Sequence, residues 1–208
     1  MTTWWKNGPR RPPLGDKLVD WNTLVHVGGE EFIRGHDVLE IGPEYGLDAI
    51  MFAHQARRYV IIENADDVSA WIQHLQRSGV IGRKTELRFV DAITLPFGDR
   101  EFDLVLDFGT FDNTSDPLSC YREACRVLRH HGILVTTYAN AQVLGPLGEG
   151  EIRQDPDKLD QFLTDNGMWV RLRRNEKQAR AAMIAQKGGE PHHGCEWYDT
   201  HVCTCPRT

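Results

Sequence analysis

The chain is organised around one segment, Asp37-Val38-Leu39-Glu40-Ile41-Gly42-Pro43-Glu44-Tyr45-Gly46-Leu47-Asp48-Ala49-Ile50-Met51. It opens with a short apolar run, passes through a turn with two glycines and continues as an amphipathic helix. A buried parallel strand that leads into such a turn brings backbone N–H groups up to a nucleotide-like ligand. The next apolar run, 59–62, is followed by Glu63, 21 residues after Gly42. A carboxylate at this spacing is suited to hold the two hydroxyls of a ribose.

Length, charge and hydropathy narrow the class of protein. A chain of 208 residues is long enough for one well-packed domain and too short for two large ones. Its 24 Lys and Arg against 30 Asp and Glu give a formal charge of −6, which argues against nucleic acid as a partner. No apolar run approaches the ~20 residues that cross a bilayer, and the N-terminus lacks a secretory signal pattern. We therefore expect a cytoplasmic protein without a membrane partner, and the sequence carries no indication of oligomeric state.

Apolar runs alternate with amphipathic helices, which predicts a mostly parallel sheet with crossover helices. The dipeptides Asp116-Pro117 and Asp155-Pro156 predict helix starts, because a capping carboxylate precedes a proline at the first helical position. The last two strands are joined by a link too short for a helical crossover, so we expect them to be antiparallel. The predicted strands are 37–41, 58–63, 86–91, 102–107, 132–137, 169–173 and 181–185.

The predicted organisation is a domain of residues 1–187, with an N-terminal arm and helix over 1–35, and a tail of residues 188–208 that contains His and Cys. The arm carries Trp4 and Trp5, which would either close over a bound ligand as a lid or pack on the outside of the domain. The tail has nitrogen and sulfur ligands but lacks paired Cys-x-x-Cys knuckles, so no metal site is assigned.

Four stretches in this order resemble the class I S-adenosylmethionine-dependent methyltransferases, especially the small-molecule branch with ubiquinone-biosynthesis-like sequences. The resemblance covers about Val38 to Lys187 and rests on the order and spacing of the stretches rather than on any one of them. It implies an α/β, Rossmann-like, seven-stranded and mostly parallel sheet with an antiparallel last strand and helices on both faces. The stretches are 38–46, 60–63, 91–105 and 123–134.

The resemblance also implies roles for the first half of the motif set, with S-adenosyl-L-methionine as the cofactor. Glu40 and Gly42 would approach the methionine part of the cofactor, and Gly46 would open the helix beside it. Glu63 would hold the ribose hydroxyls, in agreement with its spacing from Gly42.

The later strands supply the other implied contacts. Asp91 would face the adenine amino group, with Ala92 beside the ring. Asp107 and Phe108, at the end of the fourth strand, would border the methionine part and the acceptor. Ligands of open parallel sheets bind at these carboxyl ends, where the strand order reverses.

Glu44 is a departure from the family, which usually has a glycine at this position of the first motif. Its side chain would either crowd the cofactor or favour the sulfonium cation through its carboxylate, so Glu44 is kept among the predicted cofactor-binding residues. A second departure, Arg129-His130-His131-Gly132, is interpreted as a surface turn far from the chemistry.

A general base is needed only when the acceptor must lose a proton. Asp112, after the fourth strand, is the first candidate, and a turn or capping carboxylate is the competing interpretation. Asn113, Tyr138 and Asn140 are further candidates near the mouth of the site.

The preferred function is methyl transfer from S-adenosylmethionine to a small-molecule acceptor. One alternative is a non-catalytic or regulatory S-adenosylmethionine-binding protein on the same fold. Another is a nicotinamide-dependent oxidoreductase, which would share the glycine turn and the ribose carboxylate but whose usual glycine triplet is absent.

Overall fold

The computed structural model describes residues 33–44, 46–82, 85–144, 154–174, 177 and 180–188. Seven strands form one sheet in the order β3-β2-β1-β4-β5-β7-β6. Neighbours among β1 to β5 are parallel, whereas β7 is antiparallel to both β5 and β6. The predicted fold class is confirmed, including the antiparallel last pair. The strands are β1 Asp37–Ile41, β2 Arg58–Glu63, β3 Glu86–Phe89, β4 Phe102–Phe108, β5 Leu128–Ala139, β6 Met168–Arg174 and β7 Arg180–Lys187.

Helices cover both faces of the sheet, because alternate residues of each buried strand point to opposite sides. Val38 of β1 packs in the core beneath α1 and α2, and its neighbour Leu39 packs in the core beneath α3 and α5. The connection from β3 to β4 has no helix; Leu95 in this loop packs into the second core. The helices are α1 Leu47–Phe52, α2 Asp66–Arg77, α3 Pro117–Val127, α4 Ala141–Leu144 and α5 Pro156–Asp165.

Both predicted Asp-Pro helix starts are confirmed. The Asp116 carboxylate accepts a hydrogen bond from the Ser119 N–H at 3.1 Å. Asp155 accepts from the N–H groups of Asp157 and Lys158 at 3.0 and 3.2 Å. In each helix the proline follows the cap directly, where its missing N–H would have had no partner inside the helix.

Strand boundaries depart from the prediction at several places. The third strand ends at Phe89 rather than at residue 91. The fifth strand begins at Leu128, four residues earlier than predicted.

The predicted surface turn at residues 129–132 is wrong, because this segment is a bulge within β5. Phe102 pairs with Leu128, but Leu104 pairs with Ile133, so the chain advances by two residues on β4 and by five on β5. The extra residues of β5 therefore have no partner on β4. Arg129 makes ion pairs at 2.9 Å with Asp37 and with Asp103, at the amino ends of β1 and β4. These two ion pairs hold the segment against the amino ends of the strands, whereas the predicted site lies at their carboxyl ends.

The predicted N-terminal arm and helix lie outside the described residues, apart from the short stretch from residue 33, and so do the proposed Trp4 and Trp5 lid and nearly all of the tail. Within the described ranges, no helix is long and apolar enough to cross a membrane.

Candidate active site

A cavity of about 360 Å³ opens at the carboxyl ends of the first four strands. It lies where the strand order reverses between β1 and β4, which is where ligands bind in open parallel sheets. Its size falls in the range of cavities that hold small molecules. The lining residues come from the ends of the strands and from the segments that follow them: 41, 42 and 44, 62–64 with 68, 90–92, and 108–110 with 113–114. Arg180 joins them from the start of β7.

The loop after β1 requires glycine at residue 42 for two independent reasons. Gly42 has φ +63°, a conformation that residues with a Cβ rarely adopt. A Cβ there would also collide with the side chain of Thr110. The Thr110 hydroxyl donates to the carbonyl oxygens of Ile41 at 3.0 Å and Gly42 at 3.3 Å, so the loop is tied to the turn after β4.

Glu44 lies in the same loop, is exposed and lines the cavity. Its φ of +52° is the left-handed conformation that a glycine adopts without strain. The backbone at this position therefore keeps a glycine-like geometry although the family's glycine has been replaced. The carboxylate is carried at the mouth of the cavity.

Gly46 is the residue that precedes α1 and has φ +71°. A Cβ on Gly46 would lie 2.7 Å from Cδ1 of Ile72, so the glycine lets the loop pack against α2. It is buried and lies behind the cavity rather than on its wall.

Glu63 is the last residue of β2, Asp91 lies two residues beyond the neighbouring β3, and each is anchored through one carboxylate oxygen. Glu63 Oε1 accepts from the N–H groups of Asn64 at 2.8 Å and Ala65 at 2.9 Å. Asp91 Oδ1 accepts from the Ile93 N–H at 3.0 Å. Within the described part of the chain, the second oxygen of each carboxylate takes no hydrogen bond and both residues line the cavity. The two side chains are therefore held in place while keeping an acceptor for a ligand.

Ala92 and Phe108 supply apolar wall at the same edge. Ala92 is buried, and its methyl group belongs to the core beneath α3 and α5. Phe108 closes β4 and packs against the core on the opposite face.

Asp107 is fully buried and shapes the turn that carries Phe108 and Thr110, but it does not itself line the cavity. Its Oδ1 accepts from the N–H groups of Thr110 at 2.8 Å and Phe111 at 3.2 Å, and its Oδ2 accepts from the Thr136 hydroxyl at 2.6 Å. Burial raises the pKa of Asp107 to about 7, despite these hydrogen bonds.

Glu40 lies on the sheet face beneath α1, away from the cavity wall. It is buried, and its Oε2 accepts a hydrogen bond from the Tyr59 hydroxyl at 3.0 Å. Burial, with the nearby carboxylates of Glu40 and Asp48, raises the pKa of Tyr59 well above its ordinary value.

Asp112 joins the turn after β4 to the end of β5. Its Oδ2 accepts from the Ala139 N–H at 2.6 Å and lies 3.9 Å from Nη1 of Arg180. Burial raises the pKa of Asp112 to about 6, against the opposing effects of the Ala139 N–H and the Arg180 charge. Among the described residues that line the cavity, Asp112 is not included.

Two residues at the site were missed by the sequence interpretation. Arg180 is the first residue of β7, opposite Ala139, and its guanidinium lies so close to Gly109 that no Cβ would fit there. A lone arginine directly before the apolar run 181–185 was the available signal. Thr110 lies just after the predicted residues Asp107 and Phe108. No local sequence pattern indicated that its hydroxyl would bind the loop at Gly42.

The described residues contain no group of three or more His, Cys, Asp or Glu arranged to hold a metal ion. The buried thiols of Cys120 and Cys125 lie in α3, and burial raises their pKa values to about 11 and about 12. They are therefore poor nucleophiles and poor metal ligands.

A family model described as "Methyltransferase domain" matches residues 39–136, from β1 into β5. The matched residues, somewhat fewer than half of the chain, are similar to this family of methyltransferase domains. The match confirms the predicted enzyme class, a methyltransferase, for which S-adenosylmethionine is the expected cofactor. The family match does not support the nicotinamide-dependent alternative, and the ubiquinone-biosynthesis-like branch stays a prediction. No curated protein sequence matches this methyltransferase at a significant level.

Solved structures share the fold of this methyltransferase at low sequence identity. The [4+2]-cyclase SpnF is 18% identical with a TM-score of 0.69, over 83% of this chain and 80% of its own. A Burkholderia thailandensis 1,6-didemethyltoxoflavin-N1-methyltransferase, solved with 1,6-didemethyltoxoflavin and S-adenosylhomocysteine, is 17% identical with a TM-score of 0.67, over 90% and 85%. The CcbJ methyltransferase from Streptomyces caelestis is 13% identical with a TM-score of 0.68, over 89% and 95%.

The predicted site residues of this methyltransferase fall into three groups by position, and their individual roles stay predictions. Gly42, Glu44, Glu63, Asp91, Ala92 and Phe108 line one cavity. Glu40, Gly46 and Asp107 are buried and do not line it. Asp112 lies beside it, against Arg180.

Proposed function

We propose that this methyltransferase moves a methyl group from S-adenosylmethionine to a small-molecule acceptor within the cavity at the carboxyl ends of β1 to β4. The observation that carries the proposal is the pair of anchored carboxylates, Glu63 and Asp91, on neighbouring strands of that cavity. Each presents an acceptor oxygen at the place where the resemblance puts a ribose and an adenine amino group.

The charge of the wall suits a cationic cofactor. Among the described lining residues, Glu44, Glu63 and Asp91 carry negative charge and Arg180 carries positive charge, which gives a net charge of −2. A negative wall favours a sulfonium over its neutral thioether product, and the effect is larger in a cleft than in open water.

The reaction that the cofactor supplies is an in-line displacement, in which the sulfur–methyl bond breaks as the methyl carbon bonds to the acceptor atom. The residues of the chain contribute position and exclusion of water. Thr110 ties the loop after β1 to the turn after β4, and Asp107 holds that turn from behind. Both sides of the cavity are thereby fixed relative to each other.

A small acceptor is favoured by the size of the cavity and by the net charge of −6, which disfavours nucleic acid. The ubiquinone-biosynthesis-like branch and a cytoplasmic location stay predictions of the sequence.

A second candidate is binding of S-adenosylmethionine without methyl transfer. Glu44 supports it, because a side chain occupies a position where the family usually has none. The structural likeness to SpnF, described as a [4+2]-cyclase, is consistent with other chemistry on this fold.

The test is calorimetry followed by a turnover assay. We expect S-adenosylhomocysteine and S-adenosylmethionine to bind at one site per chain and NADH not to bind. Production of S-adenosylhomocysteine that depends on an added small molecule would establish methyl transfer. Cofactor binding with no turnover across a broad acceptor panel would favour the second candidate, and absence of cofactor binding would contradict both.

A further inference from the structure

We propose that Arg180 binds an anionic group, a carboxylate or a group of the same charge and shape, on the methyl acceptor. The inference rests on the proposed function and deepens it, because it names the chemical class of the acceptor. It follows from where the guanidinium lies, what it contacts and which of its donors are unused.

The strand order places Arg180 at the acceptor end of the cavity. Glu63 ends β2 and Asp91 follows β3, on one side of the central β1 and β4 pair. Arg180 begins β7, which lies on the other side, beyond β5. A cofactor whose ribose and adenine lie at β2 and β3 has its methyl group directed towards β4 and β5. Among the described residues that line the cavity, Arg180 is the one with a basic side chain.

The turn after β4 is shaped to admit the guanidinium. Gly109 has φ +88°, and a Cβ there would collide with Nη1 of Arg180. The Asn113 side-chain amide donates to the Gly109 carbonyl oxygen at 2.9 Å and holds the turn in this position. A glycine in the left-handed region that makes room for a charged group is a specific arrangement rather than a loose surface contact.

The guanidinium retains donors for a ligand. Nη1 of Arg180 is buried against Gly109 and has no hydrogen-bond partner in the described part of the chain. The rest of the guanidinium, on a side chain that is 30% exposed, donates to no described residue either, so it is the part that a ligand can reach. The nearest carboxylate oxygen, Oδ2 of Asp112, is 3.9 Å away, beyond hydrogen-bonding distance. That same oxygen is already engaged by the Ala139 N–H at 2.6 Å. A buried donor without a partner is costly, and a bidentate carboxylate is the partner that an arginine fork matches best.

Asp112 acts as a positioning residue in this arrangement. Its charge attracts the guanidinium, and its hydrogen bond to Ala139 fixes the distance between the turn after β4 and the end of β5. A ligand carboxylate would therefore meet a guanidinium that is held in place but not neutralised by a direct hydrogen bond. A neutral acceptor would leave the exposed part of the guanidinium without an anionic partner.

The experiment measures the thermal stability of the methyltransferase with S-adenosylhomocysteine bound and with acetate, a small carboxylate, added. The protein is saturated with S-adenosylhomocysteine and titrated with sodium acetate, against sodium chloride of equal ionic strength and against acetamide as the neutral isostere. The same series is repeated with 5′-methylthioadenosine, which lacks the amino-acid carboxylate. Ionic strength is matched because surface charges respond to it without any specific site.

We expect acetate to raise the Tm of the S-adenosylhomocysteine complex by about 2 °C over chloride and acetamide, at a concentration a few times its Kd. Arg180→Gln should abolish this difference, and Arg180→Lys should reduce it because the point charge remains without the planar fork. Arg77→Gln is the matched control, because Arg77 is an exposed arginine of α2 that contacts Gln73. That control should keep the full acetate response.

Two results would overturn the proposal. One is an acetate response that is absent from the wild type or equally large in Arg180→Gln. The other is a response seen only with 5′-methylthioadenosine, which would assign the guanidinium to the carboxylate of the cofactor. This comparison uses the wild type alone and decides the question even if Arg180→Gln fails to fold. Failure of the proposed function is distinct, because S-adenosylhomocysteine would then give no stabilisation before any acetate is added.

Discussion

The Thr110 hydroxyl donates a hydrogen bond of 3.0 Å to the Ile41 carbonyl oxygen and thereby joins the end of β4 to the end of β1. The two strands are neighbours in the sheet but are separated by more than sixty residues in the chain. This contact closes the floor of the cavity, because the Thr110 side chain occupies the space that a Cβ on Gly42 would take.

Gly42→Ala should therefore be damaging beyond the ordinary cost of a left-handed alanine. We expect S-adenosylhomocysteine affinity to fall at least about tenfold, because Thr110 or the loop must move. Gly79→Ala is the matched control: Gly79 has φ +76°, but a Cβ there meets no atom within 4 Å. It should lose about 1 kcal/mol of stability and keep its affinity. Equal affinities for the two variants would show that the Thr110 contact does not shape the site.

Two substitutions of Glu44 separate the effect of its left-handed backbone conformation from the effect of its side-chain charge. Glu44→Gly removes a side chain from a left-handed residue and should raise the free energy of unfolding by up to about 1 kcal/mol. Glu44→Gln keeps the side chain and removes the charge. We expect it to weaken S-adenosylmethionine binding about threefold while S-adenosylhomocysteine, which lacks the sulfonium charge, is bound as before. Calorimetry with both ligands measures this, and an equal change for both would exclude a sulfonium effect.

The raised pKa of Asp107 leads us to expect that the stability of the fold decreases as the pH rises towards 7. Its pKa is raised to about 7 in the folded state, so between its ordinary value and about 7 the folded chain binds more protons than the unfolded chain. This carboxyl group therefore stabilises the fold most at low pH, and the contribution is lost as the pH rises through about 7. The Asp112 carboxyl, raised to about 6, acts in the same direction.

Asp107→Asn keeps the shape of the protonated acid and cannot ionise. The variant should therefore lose less stability than the wild type as the pH rises. Its oxygen can accept from Thr110 and Phe111, and its amide can donate to the Thr136 hydroxyl. We expect the variant to gain on the order of 2 kcal/mol relative to the wild type between pH 5 and pH 8, measured by denaturant unfolding. Asp165→Asn, the same substitution at an exposed residue of α5, is the control for the exchange itself. A parallel shift for Asp107→Asn would refute the raised pKa.

Asp112→Asn distinguishes a general base from a positioning residue. An asparagine oxygen can still accept from the Ala139 N–H, so the link between β4 and β5 survives. The contacts of Asp112 favour anchoring, and we expect kcat to fall less than about tenfold with a higher KM for an anionic acceptor. A general base would instead cost about 10²–10⁴ in kcat and would remove one limb of the pH profile.

The sequence predicted what depends on local pattern, and it missed what depends on contacts between distant segments. The strands, the antiparallel last pair and both Asp-Pro caps follow from periodicity and turn chemistry. Glu63 follows from its spacing after Gly42, and Asp91 from the resemblance to the methyltransferase family. The bulge at Arg129 could not be foreseen, because its cause is the pair of carboxylates of Asp37 and Asp103 on other strands. Arg180 was missed for the same reason: its importance comes from Gly109, seventy-one positions earlier in the chain.

The burial of Glu40 and Asp107 shows a second limit. Both stand in motif positions that imply contact with the cofactor, yet one binds Tyr59 beneath α1 and the other holds the turn after β4 from behind. Alternation along a strand decides which face a side chain takes, and a motif position alone does not state whether the residue touches a ligand or supports one that does.

The central claim is that the cavity binds S-adenosylmethionine with the ribose at Glu63, and calorimetry of S-adenosylhomocysteine binding to Glu63→Gln tests it most directly. The glutamine oxygen can still accept from the N–H groups of Asn64 and Ala65, so only the second acceptor oxygen is replaced. Glu86→Gln, which removes a surface ion-pair partner of Arg58 and Arg88, is the matched control. We predict binding at one site per chain, weakened at least about tenfold by Glu63→Gln and unchanged by Glu86→Gln. Wild-type protein that does not bind S-adenosylhomocysteine, or a Glu63→Gln variant that binds it as tightly as the wild type, would contradict the account.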